Sequence, residues 1–168
     1  MTQKPDRRIV IVRHGHALSA GEAGVLSDYD RPLSERGRRG VTFSASKLAE
    51  LGIRPSVIIA SPLVRAQQTA AIMAEEFGVP VKTARELSGE YELHDLWSAV
   101  LSGAADGGCV MVVGHQPQMG LLAGVLLGEQ GMHLSPGGFI SILSGDEWPS
   151  ELTCGAGRAE LLMLAPKD

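Results

Sequence analysis

The sequence predicts an α/β fold with a mainly parallel sheet and an antiparallel edge. Short apolar runs recur along the chain, helical stripes lie between them, and the last two runs are joined by a loop with no clear helix. The runs are residues 9–12, 57–60, 110–113 and 139–143, with residues 161–164 as a fifth. Strands covered on both faces read as continuous apolar stretches of this kind.

The helical stripes follow in order. Ser34 reads as an N-cap, and Val41, Ala45, Leu48 and Leu51 then repeat at helical spacing up to Gly52. Ser61-Pro62 reads as a cap followed by proline at the first helical position. Leu63, Ala66, Ala70, Met73 and Phe77 continue that helix to Gly78. Leu93, Leu96, Trp97 and Val100 form a third stripe, and Met119, Leu122, Ala123 and Leu126 a fourth. Helices between parallel strands imply a three-layer α/β/α sandwich.

The chain has 168 residues, which suits one domain, residues 1–168, with one sizeable core. It is 44% hydrophobic and 20% charged, the balance of an ordinary globular protein. A net charge of −4 with no Lys/Arg block argues against nucleic acid and anionic membrane as partners. Two cysteines, Cys109 and Cys154, make no disulfide framework and fit a reducing compartment. The run at 9–12 is too short for a signal-peptide core, and the stretch 119–127 is too short to span a bilayer. Cytoplasmic residence and a monomer are the expectations.

Ligands in open α/β sheets bind outside the carboxyl ends of the strands. Arg13-His14-Gly15-His16 follows the first strand, Ser61-Pro62-Leu63-Val64-Arg65 the second, and Gly114-His115-Gln116-Pro117 the third. Arg31 lies in the loop before the first long helix. Cations thus converge on one rim, and arginine's planar fork matches phosphate oxygens. Free N–H groups at two helix starts would favour the same anion.

Neutral imidazole is a nucleophile near pH 7, and nearby arginines should keep His14 neutral. In-line attack would give a phosphohistidine enzyme that water hydrolyses. Arg13, Arg31, Arg65 and a protonated His115 would hold the equatorial oxygens. Gly15 is expected to allow a tight turn beside the nucleophile. His16, His94 and His133 read as structural or solvated, and Asp28 and Asp30 as solvated loop carboxylates.

Arg13-His14-Gly15, the RHG motif, resembles the signature of the histidine phosphatase superfamily, whose fold is phosphoglycerate mutase-like. Ser61-Pro62 with Arg65, Ala66, Gln68 and Thr69 resembles its second arginine motif, and Gly114-His115 its second histidine motif. The chain length and Arg31-Pro32-Leu33-Ser34 are similar to the SixA-type bacterial phosphohistidine phosphatases. The resemblance implies a hydrolase with His14 as nucleophile, phosphate contacts from Arg13, Arg31, Arg65 and His115, and no cofactor. It also implies a substrate carrying phosphate on a histidine of a phosphotransfer domain, hence a signalling partner.

The sequence departs from the wider superfamily where many members carry a proton-donating glutamate. The matching stretch reads Glu86-Leu87-Ser88-Gly89-Glu90, with Gly89 at that place. An alkoxide needs an acid to leave, and imidazole, with a pKa of about 6.5, needs one much less. Glu86, Glu90 and Glu92 remain nearby as possible donors.

Three rivals stand beside this reading. A small-molecule phosphomonoesterase on the same scaffold would need a working acid near residues 86–92. A metal hydrolase using His14 and His16 lacks a third ligand at a telling spacing, and the barrels that use such pairs need roughly 250 residues. A non-catalytic phosphohistidine-binding module would have no use for the reactive residues.

Overall fold

A mixed sheet organises the structure, a computed structural model that describes residues 7–104 and 108–163. Its strands are β1 (Arg8–Arg13), β2 (Val57–Ala60), β3 (Val81–Thr83), β4 (Cys109–Gly114), β5 (Phe139–Leu143) and β6 (Arg158–Met163). They lie in the order β3-β2-β4-β1-β5-β6. The first four are parallel, and β5 and β6 form the antiparallel edge that the sequence predicts.

The helices are α1 (Ala20–Ala23), α2 (Glu35–Glu50), α3 (Val64–Phe77), α4 (Leu93–Gly103) and α5 (Gln118–Leu127). Short 3-10 turns cover Asp28–Asp30 and Arg85–Leu87. β1 shows why both faces are covered. Ile9 and Ile11 pack with Leu96, Trp97, Met119 and Leu122 from α4 and α5. Val10 and Val12 point the other way, among Val41, Leu48, Ala70 and Met73 from α2 and α3. The result is the expected three-layer α/β/α sandwich.

Three details differ from the sequence reading. β3 is absent from it, because a three-residue edge strand of Val81, Lys82 and Thr83 has no apolar run. β6 starts at Arg158, before the predicted run, and residue 164 lies outside the described residues. Its Glu160 accepts 2.9 and 2.6 Å bonds from Arg8 and a 2.8 Å bond from Ser141 Oγ, which lets a charged residue sit in the sheet. Ser61-Pro62 does not start α3. The helix begins at Val64 with Leu63 as an N-cap that makes no side-chain bond. The Ser61 hydroxyl is engaged elsewhere, as described below. Ser34 does cap α2, its Oγ accepting from Gly37 N at 3.0 Å.

Strand register builds the rim. Arg13 pairs with Gly114, and Ala60 pairs with Val113, so the carboxyl ends of β1, β4 and β2 finish side by side. A loop before β5 locks the first of them, where Gly137 N–H reaches the carbonyls of Arg13 (3.1 Å) and His14 (3.0 Å). Buried Ser44 of α2 donates to Gly137 O at 2.7 Å and holds that loop from below. Among the described residues, no helix is long and apolar enough to cross a membrane.

Candidate active site

The sheet ladder runs one residue past the strand ends and aims the side chains. His14 N–H donates to Gly114 O and Ser61 N–H to Val113 O, both at 3.0 Å. β4 lies between β1 and β2, so His115 emerges between His14 and Ser61. The two imidazoles come within 5.0 Å, centroid to centroid, tilted by 57°.

His14 is held through Nδ1, which lies 2.7 Å from the Gly15 carbonyl. A carbonyl only accepts, so Nδ1 carries the proton and Nε2 keeps a free lone pair. Arg65 Nε–H points at that lone pair from 3.3 Å. The His14 pKa is pushed from 6.5 down to about 4. Burial is the main cause. The Gly15 bond opposes it, and Arg65, Arg13 and Arg31 add to it by charge repulsion. The expected neutrality is there, with burial leading and the arginines second.

Gly15 serves by its size. Its φ is not positive. A Cβ there would meet Val41 Cγ2 at 2.7 Å and Gly37 O at 2.9 Å. The glycine therefore lets β1's end pack against α2, a different need from the tight turn expected.

His115 is buried, and its Nε2 lies 2.7 Å from Ser61 Oγ. That hydroxyl oxygen already accepts from Leu63 N–H at 3.2 Å. The hydroxyl therefore joins the His115 ring to the loop before α3. The His115 pKa falls to about 3, first through burial, then through His14 and Arg65, with Asp28 opposing. Burial and the neighbouring cations thus favour a neutral His115 ring before phosphate arrives, whereas the sequence reading expects it protonated against the phosphate.

The arginines divide between commitment and reserve. Arg13 Nη1 donates to Leu134 O at 2.8 Å, while its Nε is buried without a partner among the described residues. Arg65 is buried; its Nη1 donates to Asp28 O at 2.7 Å and its Nη2 to Asp28 Oδ2 at 3.0 Å. Arg31 donates through Nε to Leu18 O and through Nη1 to Asp28 Oδ1, both at 2.7 Å. Asp28 is therefore no merely solvated carboxylate. It bridges two predicted phosphate arginines, which hold its pKa below the ordinary carboxylate range, the Arg31 hydrogen bond being the largest cause. The i,i+3 spacing of Asp28 and Arg31 was the available signal. The Arg65 contact, 37 residues away, left none.

Hydroxyls and amides that the sequence reading left without roles hold the set together. Thr69 Oγ1 accepts from Gly15 N–H at 3.1 Å and donates to Arg65 O at 2.8 Å. Gln68 Oε1 accepts from Leu33 N–H at 2.8 Å, anchoring the segment after Arg31. At the helix starts, Ala66 and Gln67 N–H donate to Leu63 O, Met119 N–H to His115 O, and Gly120 N–H to Gln116 Oε1.

The remaining candidates fall outside the set. His16 Nδ1 is 2.7 Å from Ser34 Oγ, a structural contact, and His94 pairs with Asp95 at 3.2 Å. No group of three or more metal-binding side chains occurs among the described residues. Gly89 has φ 98°, a conformation L side chains rarely adopt, and Gln118 Nε2 clamps its carbonyl at 2.7 Å. Glu86 pairs with Arg85 at 3.5 Å.

Comparison with known proteins adds the family. The model of the histidine phosphatase superfamily (branch 1) matches residues 9–96. A Picosynechococcus protein of uncharacterised function is 35% identical over 136 residues, covering 77% of this chain and 82% of its own length. The chain belongs to the histidine phosphatase superfamily. This histidine phosphatase homologue is also 47% identical over 73 residues to the mitochondrial serine/threonine-protein phosphatase Pgam5 of Drosophila ananassae. That match covers 44% of the chain and 24% of the relative, so it spans about a quarter of the Pgam5 length. The structure of the protein histidine phosphatase SixA complexed with tungstate superposes with a TM-score of 0.78 at 24% identity, over 94% of this chain and 96% of that one. That likeness establishes the shared phosphoglycerate mutase-like fold.

Proposed function

We propose that the chain is a metal-independent phosphatase that removes phosphate from phosphohistidine in a phosphotransfer protein, through a covalent phospho-His14 intermediate. The observation that carries this reading is the His14 ring. Nδ1 is tied to the Gly15 carbonyl and Nε2 presents its lone pair to a pocket of arginines. In the first step, Nε2 attacks phosphorus in line. The bond to the substrate imidazole breaks, and that nitrogen keeps the electron pair and takes a proton from solvent. In the second step, water attacks phosphorus, the P–Nε2 bond breaks, and its electron pair returns to His14. Arg13, Arg31, Arg65 and His115 hold the equatorial oxygens throughout.

Gly89 supports the choice of a P–N substrate. Its positive φ makes any side chain costly at the place where many relatives carry an acid. Imidazole leaves without strong acid assistance, and an alkoxide does not. The test compares a phosphohistidine-bearing phosphotransfer domain, a phosphoserine peptide and an alkyl phosphate, each with chelator present. The expected order puts the P–N substrate ahead by orders of magnitude, with His14→Ala inactive and an acid-labile phosphoryl group trapped on His14. Equal turnover of the esters would instead support a phosphomonoesterase with a working acid. Turnover by His14→Ala would remove the mechanism altogether.

A further inference from the structure

We infer that the Asp28 carboxylate is an internal competitor for the phosphate seat, and that substrate enters by anion exchange on Arg65 and Arg31. The inference rests on the reading above, that these arginines hold the phosphoryl group.

The geometry of Arg65 carries it. The Nε–H and Nη2–H of a guanidinium lie along one edge, the edge that grips two oxygens of a phosphate. In this structure that edge is shared. Nε addresses the His14 Nε2 lone pair at 3.3 Å, and Nη2 holds Asp28 Oδ2 at 3.0 Å. Asp28 Oδ2 thus sits on the edge that serves the nucleophile, where an equatorial oxygen of a phosphoryl group attacked by His14 would lie. Its other oxygen, Oδ1, takes Arg31 Nη1 at 2.7 Å. One anion spanning two arginines, oxygen by oxygen, is the arrangement a phosphoryl group would make.

Burial says which partner can leave. The Arg65 side chain is 9% exposed and that of Asp28 is 64% exposed. Leaving a buried cation unpaired is costly, while the carboxylate has water at hand. Phosphate can therefore replace Asp28 on Arg65 with little penalty. The turn itself need not move. Arg65 Nη1 is bonded to the Asp28 carbonyl at 2.7 Å, and Ser27 Oγ caps the same turn at Tyr29 N–H, 3.1 Å. Rotation of the Asp28 side chain suffices.

The competing account makes Asp28 a spacer that holds two cations together. The two accounts differ in sign. A spacer helps phosphate bind, and a competitor hinders it. A carboxylate seated for roughly nine-tenths of the time weakens phosphate binding about tenfold, because only the open fraction binds. The factor applies to every incoming anion, so Asp28 sets a threshold that weakly held anions do not clear.

The experiment is calorimetric titration of inorganic phosphate into the wild-type chain, Asp28→Asn, Asp28→Ser and Asp30→Asn, with melting temperatures alongside. Asp30 lies in the same turn and its carboxylate makes no ion pair among the described residues, so it controls for loss of charge alone. The expected result is about tenfold tighter binding in both Asp28 variants and a much smaller change in Asp30→Asn. Weaker or unchanged binding in a folded Asp28 variant overturns the inference, as does an equal gain in Asp30→Asn. Absence of phosphate binding by the wild-type chain at millimolar concentration sinks the functional reading first, and is distinguishable from either.

Discussion

An imidazole whose pKa has fallen from 6.5 to about 4 should be detectable without any substrate. At pH 5.5 an ordinary histidine is about nine-tenths protonated, while a ring with a pKa of about 4 is about 3% protonated. Attack requires the lone pair, so the difference is about tenfold in usable nucleophile. Ring-nitrogen NMR between pH 7 and 4 measures it, and reports whether the proton sits on Nδ1 as the Gly15 bond requires. Since the two rings lie 5.0 Å apart, the midpoints belong to the His14–His115 pair. Neither should exceed about 5.5. A midpoint at 6 or above for either ring would refute the claim that the pocket is dry enough to hold both neutral.

Arg65→Gln separates the causes. Burial is the largest influence on His14, and the Arg65 charge a smaller one. The midpoint should rise and still stay below 6.5; a full return would give charge the leading role. Stability follows the same titration. The unfolded chain accepts a proton at about 6.5, and the folded ring resists it until about 4. The His14 contribution is therefore complete above pH 6.5 and lost as pH falls toward 4, on the order of 3 kcal/mol at most.

Two substitutions test the supports of the site. Ser61→Ala strips the buried His115 Nε2 and Leu63 N–H of their shared partner and should cost about 1–3 kcal/mol in urea unfolding, with weaker phosphate binding. Unchanged stability and binding would show that the hydroxyl orients nothing. Gly15→Ala forces a Cβ to 2.7 Å from Val41 Cγ2 and 2.9 Å from Gly37 O, and should cost about 1–3 kcal/mol and depress turnover. Adding Val41→Ala should recover only part of the loss, because the backbone contact remains; a complete recovery would place the strain in the side chain alone.

The strands other than β3, and the rim, were legible because both follow from local sequence. β1 and β4 are buried on both faces, so they read as unbroken apolar runs, and a loop that follows a parallel strand is bound to lie at the carboxyl edge. What escaped reading depends on partners distant in sequence. Glu160 is tolerable in β6 because Arg8, 152 residues earlier, neutralises it. Asp28 looks solvated until Arg65 is brought beside it. The reason for Gly15 lies in Val41 and Gly37, on a helix its own neighbourhood does not announce. Ser61 resembled a helix cap because its true partner, His115, lies on another strand end.

The hydrogen bonds of the two histidines argue for chemistry over mere binding. His14 is tied through Nδ1 to the Gly15 carbonyl and keeps an acceptor at Nε2, which faces Arg65 Nε–H; His115 is tied to Ser61 through Nε2. Around that lone pair stand the cationic donors Arg65, Arg13 and Arg31. A plain oxyanion suits the donors and is repelled by the lone pair. A phosphoryl group suits both, since its oxygens meet the donors and its electron-poor phosphorus meets Nε2. A binding pocket would gain from a protonated His14, one more cation for the anion. Here burial drives the ring the opposite way, to a pKa of about 4, so the Nε2 lone pair is available near neutral pH. A neutral ring is the form that a nucleophile needs.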